Sequence, residues 1–262
     1  MSSPSQSTAS LIEVFSAIQG EGLNVGTRQI FIRFALCDLR CHFCDSSHTW
    51  NSPQECRIEL TPGKRDFQNH HNPVTIEQLL QWVKQQNLPG LHDSVSITGG
   101  EPLLHGPFLQ KFLPQLKQFT DLPVYLETGG HRPQQLSMVL PYLDLVGMDI
   151  KLPSVSGEEK WLAHNLFLQK CISSSVKVFV KLIISDQTQT TELERTANLV
   201  ANNSLNVPVF LQPVTPIKNQ PLTPKAILPP SPEQVLTWQK LMKQWLNDVR
   251  VIPQTHKMID QL

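Results

Sequence analysis

The stretch Cys37-Asp38-Leu39-Arg40-Cys41-His42-Phe43-Cys44 places three thiols on one short segment. It follows a β-branched and aromatic run at residues 30–36, which predicts a buried strand. Three cysteines cannot pair into disulfides without a remainder, and they fall one ligand short of a closed four-cysteine zinc or iron–sulfur site. On a four-iron cluster, three thiolates leave one iron free for a small molecule. The stretch therefore predicts a catalytic site, and not only a structural one, at the end of a strand.

Two kinds of site fit a loop with this spacing. The first is an iron–sulfur cluster with one open iron. The second is a zinc ion held by the three thiolates and a histidine such as His42 or His48. We expect the two remaining cysteines, Cys56 and Cys171, to be small apolar side chains or loop thiols.

Composition narrows the class of protein. At 262 residues the chain has a length at which α/β barrels commonly form one domain. Its 22 basic and 22 acidic residues balance, which argues against a nucleic-acid partner. No apolar run approaches the roughly 20 residues of a membrane helix. Five unevenly spaced cysteines predict a reducing compartment, and therefore a cytoplasmic protein.

The start of the chain differs in composition from the rest. Residues 1–10 are rich in serine and have no basic or apolar core, so we expect a disordered tail and not a signal peptide. Residues 11–262 are then predicted to form a single domain. Within it, residues 45–72 form a long polar connection that suits either a hairpin or a short helix.

Strand and helix patterns alternate along that domain. Besides the strand before the cysteines, strands are predicted at residues 11–17, 93–98, 124–127, 143–149, 176–184, 208–212 and 248–252. Helices are predicted at residues 74–86 (with Thr75 as N-cap), 107–119, 133–140, 158–170, 192–201 and 233–246. This order requires a parallel sheet with right-handed crossovers, and about six units are too few to close an eight-stranded barrel. We therefore predict an α/β fold, a partial, open (β/α)6 TIM-type barrel.

Polar side chains follow the predicted strands where each one ends. Since the carboxyl ends of parallel strands meet at one edge, these side chains are expected to face a common site. A glycine-rich loop at residues 18–22 precedes the cysteine strand and can present Gln19 and Glu21 at the same edge. In chain order, the side chains at strand ends are the three cysteines, Thr98, Glu127, Thr128, Asp149, Lys151, Ser185, Asp186, Gln212, Gln254 and His256.

The segment Gly99-Gly100-Glu101-Pro102 matches a motif of the radical S-adenosylmethionine (SAM) enzymes. The CxxxCxxC spacing with Phe43 before the last cysteine is a second signature of that superfamily, and the chain resembles it in both. Glycines let backbone carbonyls approach the ammonium group of SAM, and the Glu101 carboxylate helps to neutralise that charge. The resemblance implies an open barrel of the radical SAM kind, with the cluster-binding loop after its first strand.

Within that superfamily the chain looks most like the 7-carboxy-7-deazaguanine synthases. The resemblance implies a 4Fe-4S cluster with SAM on its open iron, assisted by Mg²⁺. It also implies a homodimer and an electron donor such as flavodoxin or ferredoxin. The matching pieces cover nearly the whole chain after the tail and comprise residues 15–22 (the family's F-x-x-x-Q-G-E-G), 26, 31–33, 44–46, 98–102, 127–128, 149–151, 212–213 and 254–257.

The activity implied by this resemblance is a radical ring contraction. Reductive cleavage of SAM gives an adenosyl radical that removes a hydrogen atom from 6-carboxy-5,6,7,8-tetrahydropterin. The ring contracts and ammonia leaves, which yields 7-carboxy-7-deazaguanine for queuosine and related 7-deazapurines. The cofactors perform the chemistry, while the protein orients them and shields the radical.

The resemblance also implies roles for individual residues. The Arg33 guanidinium is expected to clamp the substrate carboxylate, although an inward-facing arginine in an ion pair is an alternative for that position. Ser46 is the expected Mg²⁺ ligand, and the cluster ligands are Cys37, Cys41 and Cys44. Contacts with the pterin are implied for Ile18, Gln19, Gly20, Glu21, Arg33, Thr98 and His256. Contacts with SAM are implied for Phe43, Asp45, Gly99, Gly100, Glu101, Thr128, Asp149, Ile150, Lys151, Gln212, Pro213, Val214 and Thr215.

The sequence departs from the family pattern at several positions. Ser46 stands where relatives commonly have a threonine, and it retains the hydroxyl that Mg²⁺ requires. Gly129 and Gly130 replace a frequent Asn-Gly pair. The chain also continues to Leu262, beyond the point where short relatives end in a carboxylate that contacts the substrate.

Two other functions stay open from the sequence. An activase that makes a glycyl radical on a partner protein shares the cysteine spacing, although residues 19–22 and 254–257 argue against it. A zinc-binding module without enzymatic activity is the second alternative.

Overall fold

A ten-stranded sheet organises the chain. The computed structural model describes residues 7–216 and 227–261. The order across the sheet is β12-β11-β10-β9-β8-β7-β3-β2-β4-β5, and β1 pairs separately with β6. The strands are β1 (Thr8–Ala9), β2 (Leu11–Ile18), β3 (Arg28–Phe34), β4 (Glu55–Glu59), β5 (Phe67–His71), β6 (Val74–Thr75), β7 (Ser94–Gly99), β8 (Val124–Thr128), β9 (Leu145–Asp149), β10 (Lys177–Ile184), β11 (Val209–Pro213) and β12 (Val249–Val251).

Seven neighbouring strands, β3 and β7 to β12, run parallel, so their carboxyl ends meet at one edge. On the other side of β3 the sheet continues through antiparallel β2 and then the β4–β5 pair. In the part of the chain that the structure describes, β12 and β5 lie at opposite ends and the sheet does not close. The predicted partial, open barrel is therefore confirmed, and each predicted strand is found close to its expected position.

Helices cover the parallel strands. Thr75 caps the first helix as predicted, because its Oγ1 accepts from the N–H of Gln78 and the Gln78 side chain accepts from the N–H of Thr75. The helix predicted at 158–170 begins later, at Trp161, since a short helix precedes it and ends at Gly157 with φ of 77°. The helices are α1 (Ile76–Gln86), α2 (Gly106–Phe119), α3 (Pro133–Val139), α4 (Pro153–Ser156), α5 (Trp161–Ile172), α6 (Thr190–Ala201) and α7 (Pro232–Met242).

The predicted tail over residues 1–10 is too long. Thr8 and Ala9 pair with Thr75 and Val74, and Ala9 is buried in the core, so backbone pairing orders this part of the segment. The described residues do not include residues 1–6, residues 217–226 or Leu262. Between the cysteines and α1, the connection left open by the sequence forms a hairpin of β4 and β5 after a short 3-10 turn.

The hydrophobic core lies between the sheet and its helices. Phe34 of β3 packs against Phe108 of α2, and Phe112 is fully buried one helical turn further on. Among the described helices, none combines the length and apolar content that crossing a bilayer requires.

His164 of α5 connects two loops at the carboxyl edge of the sheet. Its Nδ1 donates to the carbonyl of Gly130 (2.9 Å), and its Nε2 accepts from the N–H of Lys151 (3.2 Å). The ring is fully buried, and burial lowers its pKa to about 4. Only the neutral ring with its proton on Nδ1 makes both bonds, because an imidazolium could not accept from Lys151.

We expect stability to fall as pH drops from about 6.5 to about 4, partly because of His164. The unfolded chain binds a proton there that the folded chain does not, which costs roughly 3 kcal/mol by pH 4. His164→Gln should make the decrease of the thermal midpoint with pH shallower. The exposed His71→Gln is the control and should leave the slope unchanged. If the thermal midpoint depends on pH equally in the native protein and both variants, the neutral state assigned to His164 is wrong.

Candidate active site

A cavity of about 450 Å³ opens at the carboxyl edge of the parallel strands. Four predicted residues do not line it: Ile150 packs in the core, Pro213 ends β11, and Ser185 and Asp186 lie just after β10. The structure brings the other predicted residues together there, namely Ile18, Gln19, Gly20, Glu21, Arg33, Cys37, Cys41, Phe43, Cys44, Asp45, Ser46, Thr98, Gly99, Gly100, Glu101, Glu127, Thr128, Asp149, Lys151, Gln212, Val214, Thr215, Gln254 and His256.

The three cysteines after β3 line this cavity as free thiols. Cys41 is buried, while Cys37 and Cys44 are half-buried. Burial raises the pKa of the Cys37 thiol to about 11 and also raises the pKa of Cys41. Such thiols stay protonated at neutral pH until a metal displaces the proton. Their pKa values therefore argue against a role as free nucleophiles at neutral pH.

The glycine loop after β7 holds the cysteine loop through its backbone. The N–H of Gly100 donates to the carbonyl of Phe34 (3.1 Å), and the N–H of Glu101 donates to that of Leu36 (2.8 Å). A Cβ atom on Gly100 would lie 2.3 Å from the Leu36 oxygen and 2.9 Å from Cys37 Cβ. Only glycine permits this approach, so the motif fixes the position of the first cysteine.

Side chains also anchor the cysteine loop. Asp38 accepts hydrogen bonds from Arg132 Nη2 (2.7 Å) and His131 Nε2 (3.0 Å) in the loop after β8. Burial alone would raise the pKa of Asp38, but these two partners hold it below its usual range. His105 Nε2 donates to the carbonyl of Ala35 (2.8 Å), just before the first cysteine. The loop is thus held by β7, β8 and α2 together.

Glu101 connects the glycine loop to the end of β8. Its buried carboxylate accepts from Thr128 Oγ1 (2.9 Å), from the N–H of Gly129 (2.8 Å) and from the N–H of Leu103 (3.0 Å). These donors are neutral groups, so they orient the carboxylate without pairing its charge. A Cβ atom on Gly129 would lie 2.9 Å from His131 Nδ1, so this contact favours glycine at position 129.

A buried network of charges crosses the cavity between β9, β10 and the glycine-rich loop. Lys181 forms an ion pair with Glu21 and lies 3.3 Å from Asp149 Oδ1, while Asp149 Oδ2 accepts from Lys151 (2.7 Å). Gln212 Nε2 also donates to Glu21 Oε1 (3.1 Å). Burial raises the pKa of both carboxyls, but the lysines hold the pKa of each below its usual value. Glu21 and Asp149 are therefore ionised and fixed in place.

Sequence reasoning missed Lys181 as a site residue, and it placed Glu127 at a strand end without giving it a role. Lys181 is the only charged residue in the apolar run at 178–184, and a charge in a buried strand was the available signal. Glu127 Oε1 accepts from Gln19 Nε2 (3.0 Å) and Ser96 Oγ (2.8 Å), and burial raises the pKa of its carboxyl. Both side chains line the cavity.

Aromatic rings form the floor of the cavity. Tyr125 and Phe179 lie side by side with centroids 6.1 Å apart, and both rings approach Gly147 of β9. A Cβ atom on Gly147 would lie 2.6 Å from the Tyr125 hydroxyl and 2.8 Å from Phe179 Cζ. Glycine at position 147 leaves room for both rings, which are almost fully buried and form an apolar cluster at the base of the cavity.

Arg33 lies on the wall formed by β2, β3 and β4. Its Nε donates to Glu13 Oε1 (2.7 Å), and Arg57 donates to the other oxygen of the same carboxylate. The structure thus shows the ion pair considered for Arg33, and the same side chain also lines the cavity. Glu13 and Arg57 were not predicted, and Arg57 comes from the connection whose structure the sequence left open.

The turn after β12 closes the mouth of the cavity. Gln254 Nε2 donates to Glu21 Oε1 (2.8 Å), and the N–H of Thr255 donates to the carbonyl of Gly20 (3.0 Å). His256 packs so closely on Gly20 that a Cβ atom there would lie 2.0 Å from its Nδ1. This contact therefore requires glycine at position 20.

Asp45 and Ser46 lie at the same mouth. Asp45 accepts from Lys257 Nζ (2.6 Å), from Gln254 Nε2 (3.2 Å) and from the Ser46 hydroxyl (3.0 Å). Burial raises the pKa of Asp45, but Lys257 outweighs it and the pKa falls to about 2. Because Ser46 donates its proton to Asp45, its oxygen lone pairs remain available to a cation.

The donor set fits an iron–sulfur cluster and SAM. Three thiols reach the cavity from one loop, and the same cavity is lined by Gln212, whose Oε1 is buried without a hydrogen-bond partner within residues 7–216 and 227–261. A buried acceptor without a donor is costly, and a bound ligand that donates to it removes the cost. The residues that could hold the two groups thus line one cavity.

Comparisons with known proteins agree with this geometry. The model of the Radical SAM superfamily matches residues 31–166. A 7-carboxy-7-deazaguanine synthase from Geobacter sulfurreducens is 42% identical over 258 residues, which covers 97% of this chain and 98% of that protein. The synthase from Thermococcus kodakarensis is 32% identical and covers 79% of this chain and 85% of its own length.

Solved structures share the fold. The crystal structure of QueE from Escherichia coli has a TM-score of 0.58 at 19% identity and covers 94% of this chain and 93% of its own. A structure of anSMEcpe with bound AdoMet has a TM-score of 0.55 at 14% identity, covering 83% of this chain and 58% of its own. With the superfamily match and the identity to the synthases, these findings show that the chain belongs to the 7-carboxy-7-deazaguanine synthase family of the radical SAM superfamily.

Proposed function

We propose that this chain converts 6-carboxy-5,6,7,8-tetrahydropterin to 7-carboxy-7-deazaguanine with loss of ammonia. One observation carries the proposal: a single cavity is lined by three thiols suited to bind a metal and by the polar side chains of Gln19, Glu21 and Glu127. The family's shared activity supports the same reaction.

Superfamily membership implies a 4Fe-4S cluster and SAM. When bound, these groups supply an adenosyl radical that takes a hydrogen atom from the pterin. Cys37, Cys41 and Cys44 hold the cluster. Glu101 has a carboxylate oriented by neutral donors, which suits it to face the ammonium group of SAM. Gln212 Oε1 is available to accept a hydrogen bond from the cofactor.

The pterin ring offers amide and amino N–H donors along one edge. Glu21 is ionised by its pairing with Lys181 and can accept from that edge, and Glu127 and Gln19 extend the same polar surface. Tyr125 and Phe179 add an apolar part to the lining of the same cavity. At the opposite end, the guanidinium of Arg33 pairs with the carboxylate of the substrate.

Further proposals rest on the resemblance to the family. Mg²⁺ is held by the Ser46 hydroxyl, whose lone pairs are free while its proton goes to Asp45. The chain forms a homodimer in the cytoplasm, does not bind nucleic acid, and receives its electron from a flavodoxin or ferredoxin.

The cavity also bears on the alternatives raised by the sequence. A volume of about 450 Å³ with inward-facing polar groups favours a small molecule over a protein substrate, which argues against the activase. Family membership argues against a zinc-binding module without enzymatic activity, since the named relatives are enzymes.

Anaerobic turnover tests the proposed function directly. The cluster-loaded protein, SAM, dithionite and the carboxy-tetrahydropterin should give 7-carboxy-7-deazaguanine, detected by mass spectrometry. Product should be absent when SAM or reductant is omitted. If the purified protein contains one zinc per chain and no iron or sulfide, the proposal is wrong.

Cys37→Ala should abolish cluster binding and leave the fold intact, because its loop lies at the edge of the sheet and outside the core. Iron and sulfide analysis measures the loss, and far-ultraviolet circular dichroism follows the fold. The control is Cys56→Ala, which changes a buried thiol on β4 away from this cavity. The Cys56 variant should contain as much iron as the native protein. Unfolding of the Cys37 variant would indicate a structural metal instead.

Lys181→Met should lower stability by about 3 kcal/mol, because it leaves Glu21 and Asp149 without their shared cation. Pterin binding should weaken as well, since Glu21 would take up a proton more readily. Lys177→Met, an exposed position on the same strand, is the matched control for denaturant unfolding and ligand titration. Equal behaviour of the two variants would contradict the role of the network.

A further inference from the structure

Three charged side chains stand in a row on adjacent strands of the sheet. Glu13 of β2 lies opposite Arg33 of β3 and opposite Arg57 of β4 in the strand register, so all three share one face. Arg33 Nε lies 2.7 Å from Glu13 Oε1, and Arg57 Nη2 lies 2.6 Å from Glu13 Oε2. All three residues line the cavity.

The row carries an excess of one positive charge. Glu13 is buried, and although burial raises its pKa, Arg33 and Arg57 together hold the pKa below its usual value. Its one negative charge is shared between two guanidinium groups. His48 faces the same row, and partial burial together with Arg33 lowers its pKa, so it adds no charge at neutral pH. The wall therefore attracts an anion.

Arg33 keeps donors for such an anion. In the described ranges only its Nε is hydrogen-bonded, which leaves both terminal amino groups of the guanidinium. The side chain is held in place by the Phe15 ring, 5.5 Å from its Cζ, and Phe15 stacks on Phe31 at 5.1 Å. A fixed guanidinium with two free amino groups matches a carboxylate in a bidentate pair.

Arg57 forms an ion pair with the second carboxylate oxygen of Glu13. It comes from the β4–β5 hairpin, and its guanidinium lies 4.6 Å from the Phe67 ring of that hairpin. Without Arg57, Glu13 and Arg33 would form a closed pair with no net charge. A neutral pair attracts a carboxylate far more weakly than a free guanidinium does, because the Glu13 charge opposes the ligand.

We propose that Arg57 is a positioning residue that neutralises Glu13, so that the charge of Arg33 is free to bind the carboxylate of the substrate. This inference rests on the proposed function and deepens it, since it names a residue that selects carboxylated pterins. It also gives the β4–β5 hairpin a role, because the hairpin brings Arg57 to the cavity wall.

Two ligands that differ only in the carboxylate test the inference. The affinities of the cluster-loaded protein for 6-carboxypterin and for pterin are measured anaerobically by calorimetry. The native protein should prefer 6-carboxypterin. Arg57→Met should lose about tenfold in affinity for 6-carboxypterin and leave pterin affinity unchanged. Arg57→Lys should recover part of the loss, because it restores the charge without the planar fork.

A double variant separates charge balance from simple structural damage. Glu13→Gln with Arg57→Met removes both partners, so Arg33 again carries an unopposed charge and affinity for 6-carboxypterin should return toward the native value. In turnover, KM for the carboxy-tetrahydropterin should rise in the single variant and fall again in the double, with kcat little changed. A merely structural role predicts that the double variant binds both ligands worse than the single.

The outcomes distinguish this inference from the proposed function. If Arg57→Met keeps the native preference for 6-carboxypterin, or if the double variant does not recover it, the inference is overturned while native turnover still supports the function. If the native protein neither prefers 6-carboxypterin nor forms product, the proposed function itself fails. Iron content and thermal midpoint establish that each variant is folded, and Arg57→Lys provides the comparison should Arg57→Met not fold.

Discussion

The close approach of two backbone segments, the end of β7 and the start of the cysteine loop, determines the arrangement of the site. Gly100 lies so near Leu36 that no side chain fits between them, and the next N–H donates to the Leu36 carbonyl. Leu36 itself has a φ of 74°, an unfavourable conformation for leucine that turns the chain sharply before Cys37. The strained backbone at Leu36 therefore directs the Cys37 thiol into the cavity.

Around that contact, buried charges give the cavity its polarity. Glu21, Asp149, Lys151 and Lys181 form ion pairs where β9, β10 and the loop at residues 18–22 meet, a place where isolated charges would be costly. The pairing fixes their geometry before any ligand binds, so little reorganisation is needed on binding. A second set on β2, β3 and β4 leaves one positive charge uncompensated. The first set is neutral in sum and the second is positive, so the two parts of the cavity lining differ in electrostatic potential.

The sequence was most informative where a pattern has a single structural solution. Alternating strands and helices require a parallel sheet, and glycines beside a cysteine loop require close backbone contact, so the open barrel and its edge were predictable. Contacts between segments distant in sequence were not. Glu13 and Arg57 become neighbours only because β4 pairs with β2. No hydrophobic periodicity in residues 45–72 predicts that pairing. Lys181 was visible as a charge in an apolar strand, but its partners depend on the register of β9 and β10.

The turn after β12 has a consequence for how the protein is made. Gln254, Thr255 and His256 complete the mouth by bonding to the loop at residues 18–22, yet they are translated long after the cysteines. A nascent chain therefore displays three uncovered sulfur atoms beside an unfinished sheet. During synthesis, those atoms are open to oxidants and equally open to the cellular machinery that delivers iron and sulfide. The order of translation thus favours metallation before the cavity acquires its cover.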